Sequence, residues 1–324
     1  MQLHERTSPP RPDRPWRVIL LALLLSLTGL LSACSPRHLV VRNLADELAT
    51  QGSASEDDPQ LAREAAAFYL KLSESVLRQT PDHAALAEAV SGGYVQYAYA
   101  FVASEAERLD ATDARGAQQL RERAAALYRR AQRHALQTLE RRQPGLRAAL
   151  AGPEPRPGSA FRLDPSLAGL AYWGAAAWGG HISLSKDHPE IVADLPQAVR
   201  LATLAWQVAP DHGDGALAVL MAQFEAGRPG GLRQRTEAYL AHAQRISRQH
   251  QAAVWLARAE LIAQVDGDRD AFVADLQRAL DAVRAAETEA RRDQPDAIPG
   301  GTDLANRVLD ARARWLLERV DDLF

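Results

Sequence analysis

The chain has 324 residues, of which 47% are hydrophobic and 24% are charged, and its formal net charge is −3. These values are ordinary for a globular protein with a large core. The sequence contains neither a basic block nor an acidic tail, and phosphate binding needs Lys and Arg clustered on one surface, so we expect no nucleic-acid partner. We interpret the scattered charges as solvated helix faces.

The N-terminus predicts a cleaved leader. Arg11, Arg14 and Arg17 precede an uncharged run, VILLALLLSLTGLLSA, over residues 18–33. A membrane-spanning helix needs about 20 apolar residues, and this run is shorter, as the core of a signal peptide is. The run leads into LSAC at residues 31–34, which resembles the lipobox of bacterial lipoproteins.

The lipobox resemblance implies that residues 1–33 are removed and that Cys34 carries a diacylglyceryl thioether and an acylated amine. A thiolate is a good nucleophile for that alkylation, and several acyl chains anchor a protein stably. The alternative is an ordinary signal peptide that happens to end before a cysteine. Ser35, rather than Asp, follows the lipidated position, which favours the outer membrane if the enterobacterial sorting rule applies. Residues 34–43 are then a tether and residues 44–324 a single helical domain.

Cysteine occurs once in the chain. A secreted protein with one cysteine can form no internal disulfide, so its core must be held by burial alone.

The rest of the chain predicts helices. In the first stretch Leu61, Ala65, Phe68 and Leu72 recur at spacings of three and four, and no later run sustains a period of two. Breaks at Pro and Gly leave short connections, which favour antiparallel neighbours. We therefore expect an all-α fold, an array of about ten to twelve antiparallel helices in one domain. Helical periodicity also occurs over residues 84–109, 118–139, 167–184, 195–208, 216–224, 236–246, 252–264, 272–283 and 304–320.

A weak internal repeat resembles the tetratricopeptide pattern, in which a helix pair recurs about every 34 residues. Ala198, Ala202, Ala205 and Pro210 stand at the offsets of a second helix of such a unit. The large first-helix Trp of the pattern is missing. The repeat predicts a tetratricopeptide-like array and says little about function.

The motifs of common catalytic sites are absent. The sequence has no P-loop, no dinucleotide glycine fingerprint, no Gly-x-Ser-x-Gly elbow and no His-x-x-x-His pair. DGDRD resembles the start of a calcium loop, but Ala271 and Gln277 stand where that loop requires Gly and Glu. We interpret it as a turn in which Asp268 caps the next helix. We predict no enzyme, no cofactor and no metal site.

Two segments place aromatic residues beside small ones. Tyr94, Tyr97 and Phe101 share one helix face in GGYVQYAYAFVASEAERL. Trp173 and Trp178 of AYWGAAAWGGHISLSKD lie five residues apart, about 140° around a helix, so they cannot form a membrane-surface helix. Core packing is one interpretation of these segments, and a ligand cavity with a few polar groups is the other. The candidate cavity residues are Tyr94, Tyr97, Phe101, Trp173, Trp178 and His181.

These segments, together with LYRRAQRHALQTLE and the ending DLANRVLDARARWLLERVDDLF, closely resemble the TRAP transporter T-component family. The resemblance covers residues 44–324. It implies a tetratricopeptide-like periplasmic lipoprotein, a homotrimer with a central pore, and a cavity for a small apolar or acidic ligand. It also implies a partner, the substrate-binding P-subunit of a tripartite ATP-independent periplasmic transporter.

Family members carry a His-Glu pair shortly after the glycine that corresponds to Gly215. This chain has Ala218 and Val219 there, so we expect no polar role at that place. The family offers no catalytic residues to transfer.

Two functions follow. The first is an acyl-anchored accessory protein that docks the P-subunit and passes a small ligand to it. The alternative is an envelope assembly scaffold that recruits outer-membrane or cell-wall proteins and binds no small molecule. An enclosed cavity around Trp178 and Tyr97 favours the first function, and a solid core there with an open groove outside favours the second.

Overall fold

The computed structural model describes residues 36–50, 59–152, 161–247, 251–293 and 304–324. These residues form helices and turns without a strand, which confirms the predicted all-α class. The α-helices in chain order are α1 Pro36–Thr50, α2 Pro59–Leu77, α3 Ala84–Ala98, α4 Ser104–Leu109, α5 Ala114–Arg142, α6 Leu146–Ala151, α7 Ala168–Ser183, α8 Pro189–Val192, α9 Leu195–Val208, α10 Ala216–Gly227, α11 Arg233–Ile246, α12 Gln251–Arg258, α13 Arg269–Asp293, α14 Leu304–Glu318 and α15 Val320–Leu323.

Two segments with π-helical geometry interrupt the α-helices, Tyr99–Ala103 between α3 and α4 and Ala259–Ala263 after α12. The chain divides into two compact units, Met1–Asn43 and Leu44–Phe324. The predicted leader and Cys34 lie outside the described residues. No helix in the described part of the chain is both long enough and apolar enough to cross a bilayer.

Aspartate side chains cap the starts of two long helices. Asp113 accepts a hydrogen bond from the Gly116 N–H at 2.9 Å at the start of α5. Asp268 accepts one from the Ala271 N–H at 2.9 Å before α13, which confirms the predicted cap. Such caps satisfy backbone donors that have no partner within the helix.

Helices that follow one another along the chain pack side by side. Contacts run from α2 to α3, then to α5, α7, α9, α10 and α11, and the last helices join as α12, α13 and α14. Such pairing is what an array of antiparallel helices requires. It does not establish tetratricopeptide geometry, so that part stays a prediction.

Helix α7, which contains the two tryptophans, packs against α3, α5 and α9. Its small residues allow close approach. A Cβ on Gly180 would lie 2.8 Å from the Tyr128 ring, and a Cβ on Gly92 of α3 would lie 2.7 Å from the Trp173 indole. The helix is therefore packed on several sides, as the angle between its tryptophans predicts.

The turn before α10 has a left-handed backbone. Gly213, Asp214 and Gly215 have φ values of 63°, 48° and 99°. A Cβ on Gly215 would lie 3.1 Å from the Ala243 backbone, so only glycine fits both the angle and the space. This turn lets α10 start directly against α11.

The residues that follow this turn are apolar and buried. Ala218 and Val219 are 0% and 8% exposed and belong to a hydrophobic cluster with residues of α11 and α12. Their side chains offer no polar group at this place, as the sequence predicts.

Candidate functional site

A crevice of about 730 Å³ opens between α2, the chain from Tyr97 to Arg108, and α14. Its volume falls within the range of small-molecule sites, which is ~300–1,000 Å³. Aromatic and small apolar side chains form much of its wall, and charged groups of both signs stand among them. The lining residues are Gln60, Arg63, Glu64, Ala67, Tyr97, Ala100, Phe101, Ser104, Glu105, Glu107, Arg108, Arg307, Val308, Ala311, Arg312 and Trp315.

A second, smaller crevice of about 240 Å³ adjoins the first one. Both crevices are lined by Glu107, Arg312 and Trp315. These three side chains therefore separate the two spaces.

Both π-helical segments border this region. The first contributes Ala100 and Phe101 to the larger crevice, and the second contributes Glu260 to the smaller one. A π turn inserts a residue into a helix, and such turns occur often at functional sites. The Ser104 hydroxyl donates a 2.6 Å hydrogen bond to the Tyr99 carbonyl and so satisfies an acceptor at the first irregularity.

Arg312 of α14 is held between two carboxylates. It donates to Glu260 Oε1 from Nη2 at 2.6 Å and from Nε at 3.1 Å, and it also pairs with Glu107. The Arg312 side chain is 17% exposed and that of Glu260 is 27% exposed. One guanidinium thus joins α14 to α4 and to the second π segment.

The pKa values around Arg312 follow from burial and from this pairing. Burial raises the pKa of Glu260, and the adjacent Arg312 reduces that rise. Burial opposes the charge of Arg312, but Glu260 and Glu107 outweigh that effect and raise its pKa. Burial also raises the pKa of Tyr99 to about 12, so the phenol is neutral at pH 7.

Aromatic rings form the crevice walls on two sides. The Tyr97 and Phe101 rings have their centroids 5.3 Å apart. On α14, the Trp315 ring has the guanidinium carbons of Arg312 and Arg319 at 5.5 and 5.1 Å from its centroid. Aromatic faces beside charged groups can bind an organic molecule that is partly apolar.

The family model described as TRAP transporter T-component matches residues 55–324. The chain belongs to the TRAP transporter T-component family. An uncharacterized protein of Treponema pallidum (strain Nichols) is 27% identical over 287 residues, which cover 87% of this chain and 85% of that protein. The family match confirms the resemblance predicted from the four sequence motifs.

Membership assigns the chain a coarse role. A T-component is an accessory protein of a TRAP transporter system, which places it in the cell envelope, and its family is not a known enzyme family. Within the described ranges, no group of three or more His, Cys, Asp or Glu side chains is arranged to hold a metal ion.

Two of the six predicted cavity residues line the larger crevice of this T-component, namely Tyr97 and Phe101. Trp173 instead packs over Gly92, and His181 is half-buried near the end of α7. Trp178 is 5% exposed, and its indole Nε1 has no hydrogen-bond partner in the described structure. The structure therefore does not gather the six side chains into one cavity.

Tyr94, the remaining candidate, belongs to a buried ionic cluster between α2, α3 and α5. Its ring stacks on His134, with a centroid distance of 6.4 Å, and Arg130 lies over it at 5.3 Å. Arg130 and His134 both bind Glu74, at 2.5 Å and 2.8 Å. The motif LYRRAQRHALQTLE supplies these two partners.

Hydrogen bonds determine the charge of Glu74, whose side chain is 3% exposed. Burial alone would raise its pKa, but the hydrogen bonds from Arg130, Lys71 and His134 outweigh burial and hold the pKa well below its usual range. Burial, assisted by the charge of Glu74, raises the pKa of Tyr94 to about 12. This cluster joins helices and faces neither crevice.

Sequence reasoning missed Arg312, Trp315 and Glu260. The first two stand three residues apart in the ending that identifies the family, but nothing in their spacing separates them from an ordinary helix surface. Glu260 is 52 residues from Arg312 along the chain, so only the folded structure brings them together.

The Arg312 pairing predicts a stability loss. Arg312→Gln leaves two partly buried carboxylates without a cation, and we expect the free energy of unfolding to fall by about 3 kcal/mol in urea denaturation. Arg314→Gln is the matched control, because Arg314 is 55% exposed and pairs only within its own helix with Asp310. That control should cost less than about 0.5 kcal/mol. Equal stability of the two variants would contradict the structural role of Arg312.

The loss should also depend on pH. Without Arg312 the pKa of Glu260 rises further in the native state, whereas in the unfolded chain Glu260 has its ordinary pKa of 4.5. Between these two pKa values, native Arg312→Gln holds a proton that the unfolded chain has released. A group that binds protons more tightly in the native state lowers stability as pH rises. We therefore expect the free energy of unfolding of Arg312→Gln to fall further below that of the wild type at pH 8 than at pH 5, measured by the same urea denaturation. A deficit that grows at low pH would contradict this.

Trp178 distinguishes packing from ligand binding. Trp178→Ala should cost about 3–5 kcal/mol if the indole is core. Trp178→Phe should cost about 1–2 kcal/mol, because it keeps most of the ring and removes an N–H without an acceptor. Thermal or urea unfolding measures both. An Ala variant with near-native stability and lost ligand or partner binding would instead support a cavity at Trp178.

Proposed function

We propose that this T-component is an acyl-anchored periplasmic accessory protein that docks the substrate-binding P-subunit and passes a small ligand to it. The observation that carries the proposal is the match of residues 55–324 to the T-component family. An open, partly aromatic crevice can hold a ligand while a second protein covers its mouth.

The crevice fits a small apolar or acidic ligand. Tyr97, Phe101 and Trp315 offer apolar contact, and Arg63 stands at the wall without an ion-pair partner in the described structure. A guanidinium beside aromatic rings suits a molecule with an apolar body and an anionic end. Arg312 has a different role, because its charge is already matched by two carboxylates.

A scaffold that binds no small molecule is the second candidate. Trp178 is packed in the interior, while Tyr97 faces an open crevice rather than an enclosed cavity. A solid core with a groove outside is the arrangement expected of an assembly scaffold for outer-membrane or cell-wall proteins. The identity of the recovered partner separates the two candidates.

The docking proposal is tested by crosslinking in cells that carry the TRAP system, followed by purification of the T-component. We expect a periplasmic substrate-binding protein to be recovered. Phe101→Ala should lower its recovery about ten-fold, because loss of one central aromatic contact typically costs ~1.4 kcal/mol or more.

Phe324→Ala is the matched control for this experiment. Phe324 is also a partly exposed aromatic, 42% exposed, and it packs on the buried Phe272 at 5.2 Å, outside the larger crevice. It should leave recovery unchanged. Recovery of cell-wall or outer-membrane proteins in place of a substrate-binding protein would favour the scaffold, and equal recovery from both variants would exclude the crevice as the docking site.

A homotrimer forms part of the proposal, and we propose the outer face of α2 as its contact surface. Leu61, Phe68 and Leu72 are 50%, 72% and 39% exposed, and with Ala65 they form one stripe along the helix. A contiguous exposed apolar patch on a folded chain commonly marks a protein contact. A second copy of the chain is the occupant that we propose.

The trimer contact predicts the effect of a buried charge. Phe68→Asp should convert trimers to monomers in sedimentation velocity, because an unpaired carboxylate would be enclosed in the interface. Val265→Asp is the matched control, since Val265 is 76% exposed on a turn far along the chain. Trimers that survive Phe68→Asp would place the contact elsewhere.

The acyl anchor predicts a fractionation result. Cys34→Ala removes the thiol that accepts the lipid, so we expect an unprocessed precursor or a soluble chain instead of a mature membrane-bound form. Membrane fractionation and intact-mass measurement read both properties. Retention of a mature, membrane-bound form in the variant would refute lipidation at Cys34.

A further inference from the structure

Helix α5 is strongly cationic although the whole chain is acidic. It contains eight arginines and two glutamates, a formal charge of +6, while the whole chain has a net charge of −3. Two of the arginines are neutralised, because Arg121 pairs with Asp110 at 2.5 Å and Arg130 pairs with Glu74. Much of the remaining positive charge lies on one side of the helix.

We define the arginine stripe as Arg115, Arg123, Arg129, Arg133 and Arg141. At 100° per residue these five positions fall within about 120° of the helix surface and extend over ~39 Å of its length. All five side chains are exposed, and none has an ion-pair partner in the part of the chain that the structure describes.

The charges of α5 are solvated, as expected, but they are not scattered around the helix. The stripe arginines are separated by eight, six, four and eight residues, so the linear sequence shows no basic block. The helix turns those spacings into a single face.

The other exposed residues of this face determine what it can bind. They are small or polar, and they include one acidic residue, Glu122, which already accepts a hydrogen bond from Gln118 at 3.1 Å. Stable protein interfaces are usually centred on well-packed, desolvated anchor residues, and helices that insert into lipid need an apolar face. The stripe offers neither, because the apolar side of α5 is buried in the core. These other exposed residues are Gln119, Glu122, Ala126 and Gln137.

A row of guanidinium groups on a rigid helix matches a plane of phosphates. Each guanidinium can bind a phosphate through two parallel hydrogen bonds, and the interaction needs no apolar contact. The envelope location of the family favours a bilayer as the source of those phosphates. We propose that the arginine stripe lies on the anionic phospholipid headgroups of the membrane that carries the acyl anchor, an inference that rests in part on the proposed anchoring at Cys34.

The test uses the full chain, purified from bacterial membranes and added to vesicles of phosphatidylcholine alone or with about 30% phosphatidylglycerol. Arginines are modified with p-hydroxyphenylglyoxal and quantified by mass spectrometry. Modification of Arg123, Arg129 and Arg133 should be at least about five-fold slower on the anionic vesicles, the factor that ~1 kcal/mol per arginine provides. The difference should disappear at about 0.5 M NaCl, because salt screens exposed charges.

Three exposed arginines outside the stripe serve as internal controls, and their rates should be equal on both vesicles. They are Arg235, Arg284 and Arg292.

A variant and its matched control extend the test. With Arg123, Arg129 and Arg133 changed to Gln, the two end members of the stripe should react equally on both vesicles. With the three control arginines changed to Gln, which alters the net charge equally, the stripe should remain protected. Equal modification of the wild-type stripe on both vesicles overturns the proposal, as does protection that appears only with a soluble envelope protein and without anionic lipid.

Flotation separates this proposal from the anchor. A chain that floats with phosphatidylcholine vesicles is anchored by its lipid. The rates of arginine modification then report on the arginine stripe alone. If the purified chain floats only with the anionic vesicles, it carries no lipid anchor, and this result supports the arginine stripe and refutes the anchor. A chain that floats with neither overturns both proposals.

Discussion

The crevice of this T-component depends on one buried guanidinium. Arg312 can stay out of water only while Glu107 and Glu260 compensate its charge, since an unpaired buried ion costs several kcal/mol. Those carboxylates come from α4 and from the second π segment. These pairs hold the last long helix against α4 and the second π segment, where it lines the crevice together with the first π segment and α2.

The π segments make this arrangement possible. An inserted residue changes the direction of every side chain that follows it in the helix. In the first segment the change accompanies the exposure of Phe101 to the crevice, and in the second it places Glu260 within reach of α14. Helices α3, α5 and α7 pack closely against one another, and the buried polar cluster at Glu74 joins α3 and α5 to α2.

The sequence predicted most of the long helices, the Asp268 cap and the many-sided packing of α7, because these features depend on spacings of a few residues. Tyr97 and Phe101 were predicted to share a helix face, and both line the crevice. Arg312 and its partners could not be predicted, since Glu107 is 205 residues away along the chain. The face formed by the arginine stripe was missed for another reason. Its members are distant in the linear sequence and adjacent only on a continuous helix.

Hydrogen–deuterium exchange of the T-component, alone and with the purified P-subunit of its own TRAP system, tests the central claim most directly. We expect slower exchange on complex formation in α2, in the first π segment with α4, and in α14, the three elements that enclose the crevice. Exchange in α9, α10 and α11 should be unchanged. Protection confined to those distant helices, with no change around the crevice, would contradict the account.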